Sequence, residues 1–183
     1  MSDKQKLTDS GPLRAIEKYA VISNCETYRY SLARRWAGGA LLPFVMLNPS
    51  TADADIDDPT IRRCMGFARR EGYAGIHVVN LYAYRATDPK ALLTCVDAVG
   101  PQNDTKLLRM LTGVSCVERP VVAAWGANAK PERVAQVMAL VPDVNWRCLG
   151  TTKDGHPRHP LYVKGDQPLV PFGTSVRAGQ DSL

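Results

Sequence analysis

An α/β fold with a mostly parallel sheet is predicted by two features of this chain. Short apolar runs recur along it, and stretches of helical periodicity lie between them. The runs are Leu41–Leu47, Ile76–Asn80, Val121–Trp125 and a shorter one around Trp146 and Leu149. A third observation concerns the residues behind each run. Polar blocks stand there: Asn48-Pro49-Ser50-Thr51, then Asn80 to Arg85, Gly126 to Lys130, and His156 to Leu161. Ligands of open α/β sheets bind at the carboxyl ends of the strands, so these blocks are expected to meet on one edge and form a single site.

The elements follow in order. The opening residues, MSDKQKLTDSGP, are polar, so 1–12 reads as a flexible tail, 13–172 as a single domain and 173–183 as a second flexible tail. From Ala20 to Trp36 the pattern is strand-turn-strand. Tyr28 and Tyr30 alternate there with polar neighbours, as a half-buried antiparallel strand requires, which predicts an N-terminal β-hairpin. Gly38-Gly39 turns the chain into Leu41–Leu47, and Pro49, with no N–H to donate, ends that strand.

Asp58 is placed to cap a helix with Pro59 in its first position. Ile61, Cys64, Met65, Phe67 and Ala68 then follow near helical spacing, and Gly72 closes the helix. Asp88-Pro89 opens a further helix leading into Ala91-Leu92-Leu93. A polar hinge from Gly100 to Asp104 precedes one around Leu107 to Leu111, and another runs from Pro131 to about Leu140.

Hydrophobic residues make up 45% and charged residues 22%, a globular composition rather than a disordered one. The 5 cysteines include no C-x-x-C pair, which argues against a zinc site or a secreted disulfide framework and for buried free thiols. The polar amino terminus has no signal-peptide core, and no apolar run approaches the ~18 residues of a membrane helix. A cytoplasmic monomer with no membrane contact is expected. The net charge of +5 permits an anionic partner such as nucleic acid, and Arg62-Arg63 and Arg69-Arg70, bracketing one helix, strengthen that reading.

Each block has a plain reading beside a chemical one. Asn48 either initiates a turn with Pro49 or holds a water or a base edge through its amide, with Ser50 and Thr51 beside it for a phosphate. Asn80 is either a structural tie or a ligand reader, since a buried amide must be satisfied. The acidic run Asp53, Asp55, Asp57, Asp58 lacks the glycine and distal Glu of a calcium loop, so it reads as a solvated loop and helix cap. Asp57 and Asp58 remain candidates for water activation. His77 alternates with Ile76 and Val78 in a strand and reads as structural. His156 and His159 sit in a loop broken by Pro157 and Pro160, where packing asks for no imidazole, so one of them is assigned a catalytic or ligand-polarising role.

Taken in order, the blocks resemble the motifs of the uracil-DNA glycosylase superfamily. Met46-Leu47-Asn48-Pro49-Ser50 is similar to its GQDPYH or GINPG motif, and Val78-Val79-Asn80 stands where a strand ends as LLLN. Val121 to Lys130 matches VFLLWGxxAQ in outline, and His159-Pro160-Leu161 resembles HPSPLS, better than His156-Pro157-Arg158 does. The likeness spans about residues 41–165. The wording LNPSTAD, DDPTIRRC, VVNLYAYRATDP and PRHPLY more closely resembles a bacterial and phage family known only as a domain of unknown function (number 1643).

The superfamily resemblance implies a three-layer αβα sandwich around a four-stranded, mainly parallel sheet. It also implies hydrolysis of an N-glycosidic bond to a uracil-like or modified base in DNA, or in a nucleotide, with no metal and no cofactor. Asn48 would stand beside the attacking water and Asn80 would read the base edge. His159, with His156 behind it, would stabilise charge on the departing base, and Leu161 would wedge into the stack. Phe67, Tyr82 and Tyr84 compete to stack on the base. Ser50, Thr51, Arg85 and Arg158 are the expected phosphate or nucleic-acid contacts. Ser50 or Thr51 stands near the place of the bulky Tyr of the GQDPYH branch, which implies a wider pocket. Because an amide is no general base, a non-catalytic base-binding or nucleotide-binding module is the first alternative. A metal-dependent hydrolase using Asp55, Asp57, Asp58 and the histidines is the second.

Overall fold

The computed structural model describes residues 15–50, 52, 55–114 and 119–173. Thr51, Asp53 and nearly all of both expected tails lie outside the described residues. Seven strands form one sheet: β1 (Glu17–Ile22), β2 (Arg29–Arg35), β3 (Leu41–Met46), β4 (Gly75–Asn80), β5 (Pro120–Ala123), β6 (Asn145–Cys148) and β7 (Val170–Pro171). The helices are α1 (Pro59–Arg70), α2 (Ala91–Thr94), α3 (Asn103–Val114) and α4 (Pro131–Ala139).

The spatial order is β1-β2-β4-β3-β5-β6-β7. β4, β3, β5 and β6 run parallel, while β1, β2 and β7 are antiparallel to their neighbours. The expected α/β class and parallel core are therefore present, but the sheet is wider than the four strands expected. The hairpin is no separate appendage, because β2 pairs with β4 from Leu32↔Val78 to Arg35↔Gly75. Gly75 makes that junction possible. A Cβ there would lie 2.3 Å from the Arg34 carbonyl and 2.4 Å from Leu41 Cδ2.

Strand alternation sorts the core onto two faces. Leu42, Phe44, Met46, Ile76 and Val78 pack with Ile61, Cys64, Phe67 and Ala68 of α1. Val45, Val79, Val121 and Ala123 face the other way, toward Leu107 and Leu111 of α3 and Val137 of α4. Helices thus cover both faces, an αβα arrangement, and each large apolar side chain buried this way contributes about 1.5–3 kcal/mol. Pro43 is tolerated inside β3 because β5 pairs with that strand only at Phe44 and Val45.

α1 forms as its sequence dictates. Asp58 is the N-cap, its Oδ1 accepting from the Ile61 N–H at 2.8 Å, and Pro59 occupies the first turn. Gly72, at φ +78°, ends it. The arginines of this helix take part in the fold. The Arg62 guanidinium donates to the Asp57 carbonyl, and Arg69 stacks 4.2 Å over the Trp36 ring. Arg63 donates to the carbonyls of Pro160 and Val163, and Arg70 to those of Gly165 and Gln167. All four guanidinium groups make contacts within the chain, and those of Arg63 and Arg70 hold the segment beyond β6. The acidic loop is likewise tied down, with Asp57 2.6 Å from Arg34, whose side chain is fully buried. Among the described residues, no helix is long and apolar enough to cross a membrane.

Candidate functional site

Because β3, β4, β5 and β6 are parallel, their carboxyl ends share one edge, and a cleft of about 650 Å³ opens there. All four polar blocks reach it: Asn48 and Ser50 behind β3, Asn80 at the end of β4, Gly126 to Asn128 behind β5, and Arg158, His159 and Leu161 beyond β6. The parallel pairing continues past the strands, with Leu81 N–H donating to the Met46 carbonyl at 2.8 Å and Tyr82 N–H to that of Leu47 at 2.9 Å. Gly126, at φ +73°, turns the chain out of β5 and donates to the Pro157 carbonyl at 3.0 Å, which ties the third block to the fourth.

Asn80 is the most telling member. It is 1% exposed, and neither Nδ2 nor Oδ1 has a hydrogen-bond partner. Its backbone is well held, its carbonyl accepting from Asn103 Nδ2 at 3.0 Å. The side chain is thus fixed in place with its amide unsatisfied, at the floor of a cleft. A buried amide in that state forgoes about 1–3 kcal/mol, a cost that a ligand offering complementary groups would recover.

Asn48 is differently engaged. Its Nδ2 donates to the carbonyls of Pro49 at 3.0 Å and Ala86 at 2.8 Å. That fixes the amide flip and leaves Oδ1 as the group able to accept from a water. His159 caps the 3-10 turn Pro160–Tyr162, its Nδ1 accepting from the Leu161 N–H at 3.4 Å. The proton of the neutral ring then belongs on Nε2, which becomes a donor. Burial pushes the His159 pKa below the usual histidine value, with the Asp58 carboxylate opposing, so the neutral form prevails near pH 7. Among the described residues, Asp58 is the carboxylate of the cleft lining.

Several expected residues lie elsewhere. Phe67 is 1% exposed beneath α1, with the guanidinium groups of Arg63 and Arg70 each 5.1 Å from its ring centroid. Tyr82 is buried in the core on the α3 and α4 face, and Tyr84 packs against it. The aromatics that do line the cleft are Trp125 and Tyr162, the latter 79% exposed with its ring 5.6 Å from that of His159. His156 belongs to a turn, its N–H donating to Thr152 Oγ1 at 3.2 Å, and it does not line the cleft. Arg85 also stands outside, donating to the Glu26 carbonyl at 3.2 Å. Arg158 reaches the cleft with its Nε committed to the Thr151 carbonyl at 3.0 Å.

Sequence reasoning missed Arg29, which is 2% exposed on β2, lines the cleft and donates to the Ala52 carbonyl. It also missed Lys153. A charged residue inside a hairpin strand carries no local sign that it reaches across a sheet. Among the described residues, no three of the His, Cys, Asp and Glu side chains gather to hold a metal ion. The arrangement the metal-dependent alternative needs is therefore not assembled there.

No curated protein and no solved structure matches the chain. The model of one family, described as "Protein of unknown function (DUF1643)", matches residues 29–161, which carry the parallel core and the cleft, and the chain belongs to that family.

Proposed function

We propose that the cleft takes a nucleobase and that the protein hydrolyses its N-glycosidic bond, the base being uracil-like or modified and carried by DNA or a nucleotide. The unsatisfied Asn80 amide carries this reading. Its donor and acceptor, side by side, complement the paired acceptor and donor on the edge of a pyrimidine. The lining supports the remaining roles. In the reaction the bond from the sugar carbon to the base nitrogen breaks, its electron pair leaving with the base. His159 Nε2–H donates toward the oxygen on which that charge collects, acting without a net charge of its own. A water held by Asn48 Oδ1 bonds to the sugar carbon, and Asp58 is the carboxylate available to take its proton or to balance positive charge on the sugar. Leu161, which lines the cleft and is 42% exposed, would fill the space a flipped base leaves. The volume of about 650 Å³ is in the range of small-ligand clefts.

One observation favours a second reading, a base-binding module without turnover: the residue behind β3 is an amide and not a carboxylate. Base release from oligonucleotides carrying uracil, mismatched thymine, hypoxanthine or modified pyrimidines, with chelator present, decides between them. The hydrolase reading expects free base from the wild type and none from Asn48→Ala or His159→Ala. Tight binding of one base without release would establish the module, and neither binding nor release would end both.

A further inference from the structure

A second groove lies on the α3 face of the sheet. It has a volume of about 550 Å³, and its floor comes from β1, β2 and the starts of β3 and β4. Ser31, Ala33, Ala40 and Pro43 keep parts of the floor low, beside the larger Val21, Leu41 and His77. The walls are basic, with Arg35 on β2, Lys106 and Arg109 on α3, and Arg119 ahead of β5. Among the described residues, no Asp or Glu lines the groove.

These cations differ from the arginines of α1. The ion pairs among the described residues are Arg34–Asp57, Arg70–Glu71 and Arg133–Asp104, and none involves this groove. Arg35 gives one nitrogen to the Gly39 carbonyl at 2.9 Å. Glu17 stands opposite Arg35 across the hairpin, and it is the carboxylate nearest in register. Lys106 and Arg109 are three residues apart on one helix, a spacing at which like charges repel. The acid of that helix, Asp104, is spent on Arg133. Among the described residues no ion pair relieves that repulsion, and an anionic ligand would relieve it.

An aromatic side chain completes the groove. Tyr19 lines it and is 66% exposed, so much of its ring is open to a ligand. A cationic channel with an exposed aromatic face is the arrangement that holds single-stranded nucleic acid, the charges following the phosphates and the ring stacking on a base. An acidic peptide would use the cations and leave Tyr19 idle.

We propose that this groove is a docking site for the backbone of a single-stranded nucleic acid, separate from the cleft at the strand ends. The proposal does not depend on the chemistry assigned to that cleft.

The test is binding of a fluorescent single-stranded DNA oligonucleotide to the full chain across a salt series. Wild type is compared with Lys106→Ser/Arg109→Ser/Arg119→Ser, with Tyr19→Ala, and with the charge-keeping Lys106→Arg/Arg109→Lys. Removing one cation from the phosphates lowers the salt slope by about 0.7, so the triple variant should show a slope smaller by about 2 and an affinity roughly a hundredfold weaker near 0.1 M salt. Tyr19→Ala should bind about tenfold more weakly with the slope unchanged, and the charge-keeping variant should bind as wild type does. Should the triple variant not fold, each single Ser substitution is expected to lower the slope by about 0.7. Failure of the wild type to bind, an unchanged affinity in folded triple or single variants, or equally tight binding of poly-glutamate would overturn the proposal. Base release from free nucleosides reads the cleft alone, so a failed groove and a failed cleft are told apart.

Discussion

Replacing Asn80 with Leu separates a ligand-reading amide from a structural tie. Leu has the same branch at Cγ, so the change exchanges two polar atoms for two methyl groups at nearly constant shape. The side chain is 1% exposed and its amide has no partner at either atom. Leaving such a group unsatisfied costs about 1–3 kcal/mol, and that cost disappears in the variant. Against it stands crowding of the new methyl groups near Met46, the residue in register on β3, for which about 1 kcal/mol is a fair charge. The expected balance is a gain of about 1 kcal/mol, or a Tm higher by about 2–4 °C for a chain of this size. Calorimetry and urea unfolding read the stability, and base release reads the site. A more stable protein that releases no base is the expected result. A loss of about 2 kcal/mol would mean the amide ties the fold together, and unchanged turnover would mean it reads no base. Either outcome refutes the reasoning.

Other substitutions probe the neighbouring groups. Asp58→Asn keeps a good helix cap but removes the carboxylate from the cleft, so folding should survive while base release falls about a hundredfold; an unchanged rate removes Asp58 from the chemistry. Burial holds the pKa values of His77 and His159 below the ordinary 6.5. Their stabilising contribution is thus fully present above about pH 6.5 and is lost as acid carries the solution down through the folded values. Urea melts across that range should show the decline, with a shallower one in His159→Gln. Asp57→Ala removes a carboxylate held 2.6 Å from the buried Arg34 guanidinium and should cost about 1–3 kcal/mol in the same melts, since the arginine keeps other partners such as the Ala33 carbonyl. Phe67→Leu should cost about 1–2 kcal/mol from the core while leaving base release per folded molecule unchanged; a collapse in rate would return Phe67 to the site.

Local rules decide the part of this fold that is legible in the sequence. α1 can be read to within a residue because its cap, its proline and its closing glycine are all within the segment itself. The gathering of the four blocks is legible for a similar reason, since parallel strands must end on one edge whatever their order. The outer strands are not, because pairing at an edge depends on distant chain. β7 is two residues long and exists through Arg147↔Pro171 and Cys148↔Val170. The choice of aromatics fails in the same way: whether Tyr82 or Tyr162 faces the cleft depends on how the segment beyond β6 folds back. The arginines of α1 show the physical limit most clearly. In the sequence they look like a basic patch awaiting an anion, yet Arg63 and Arg70 spend their donors on carbonyls about a hundred residues away. Pro160 opens the turn that His159 caps and Val163 closes it, so Arg63 braces the segment that carries the imidazole. It follows that Arg63→Met would lower base release while leaving direct nucleic-acid contacts intact. Its signature is a fall in rate whose salt dependence matches the wild type, whereas removal of a phosphate-binding group would flatten that dependence.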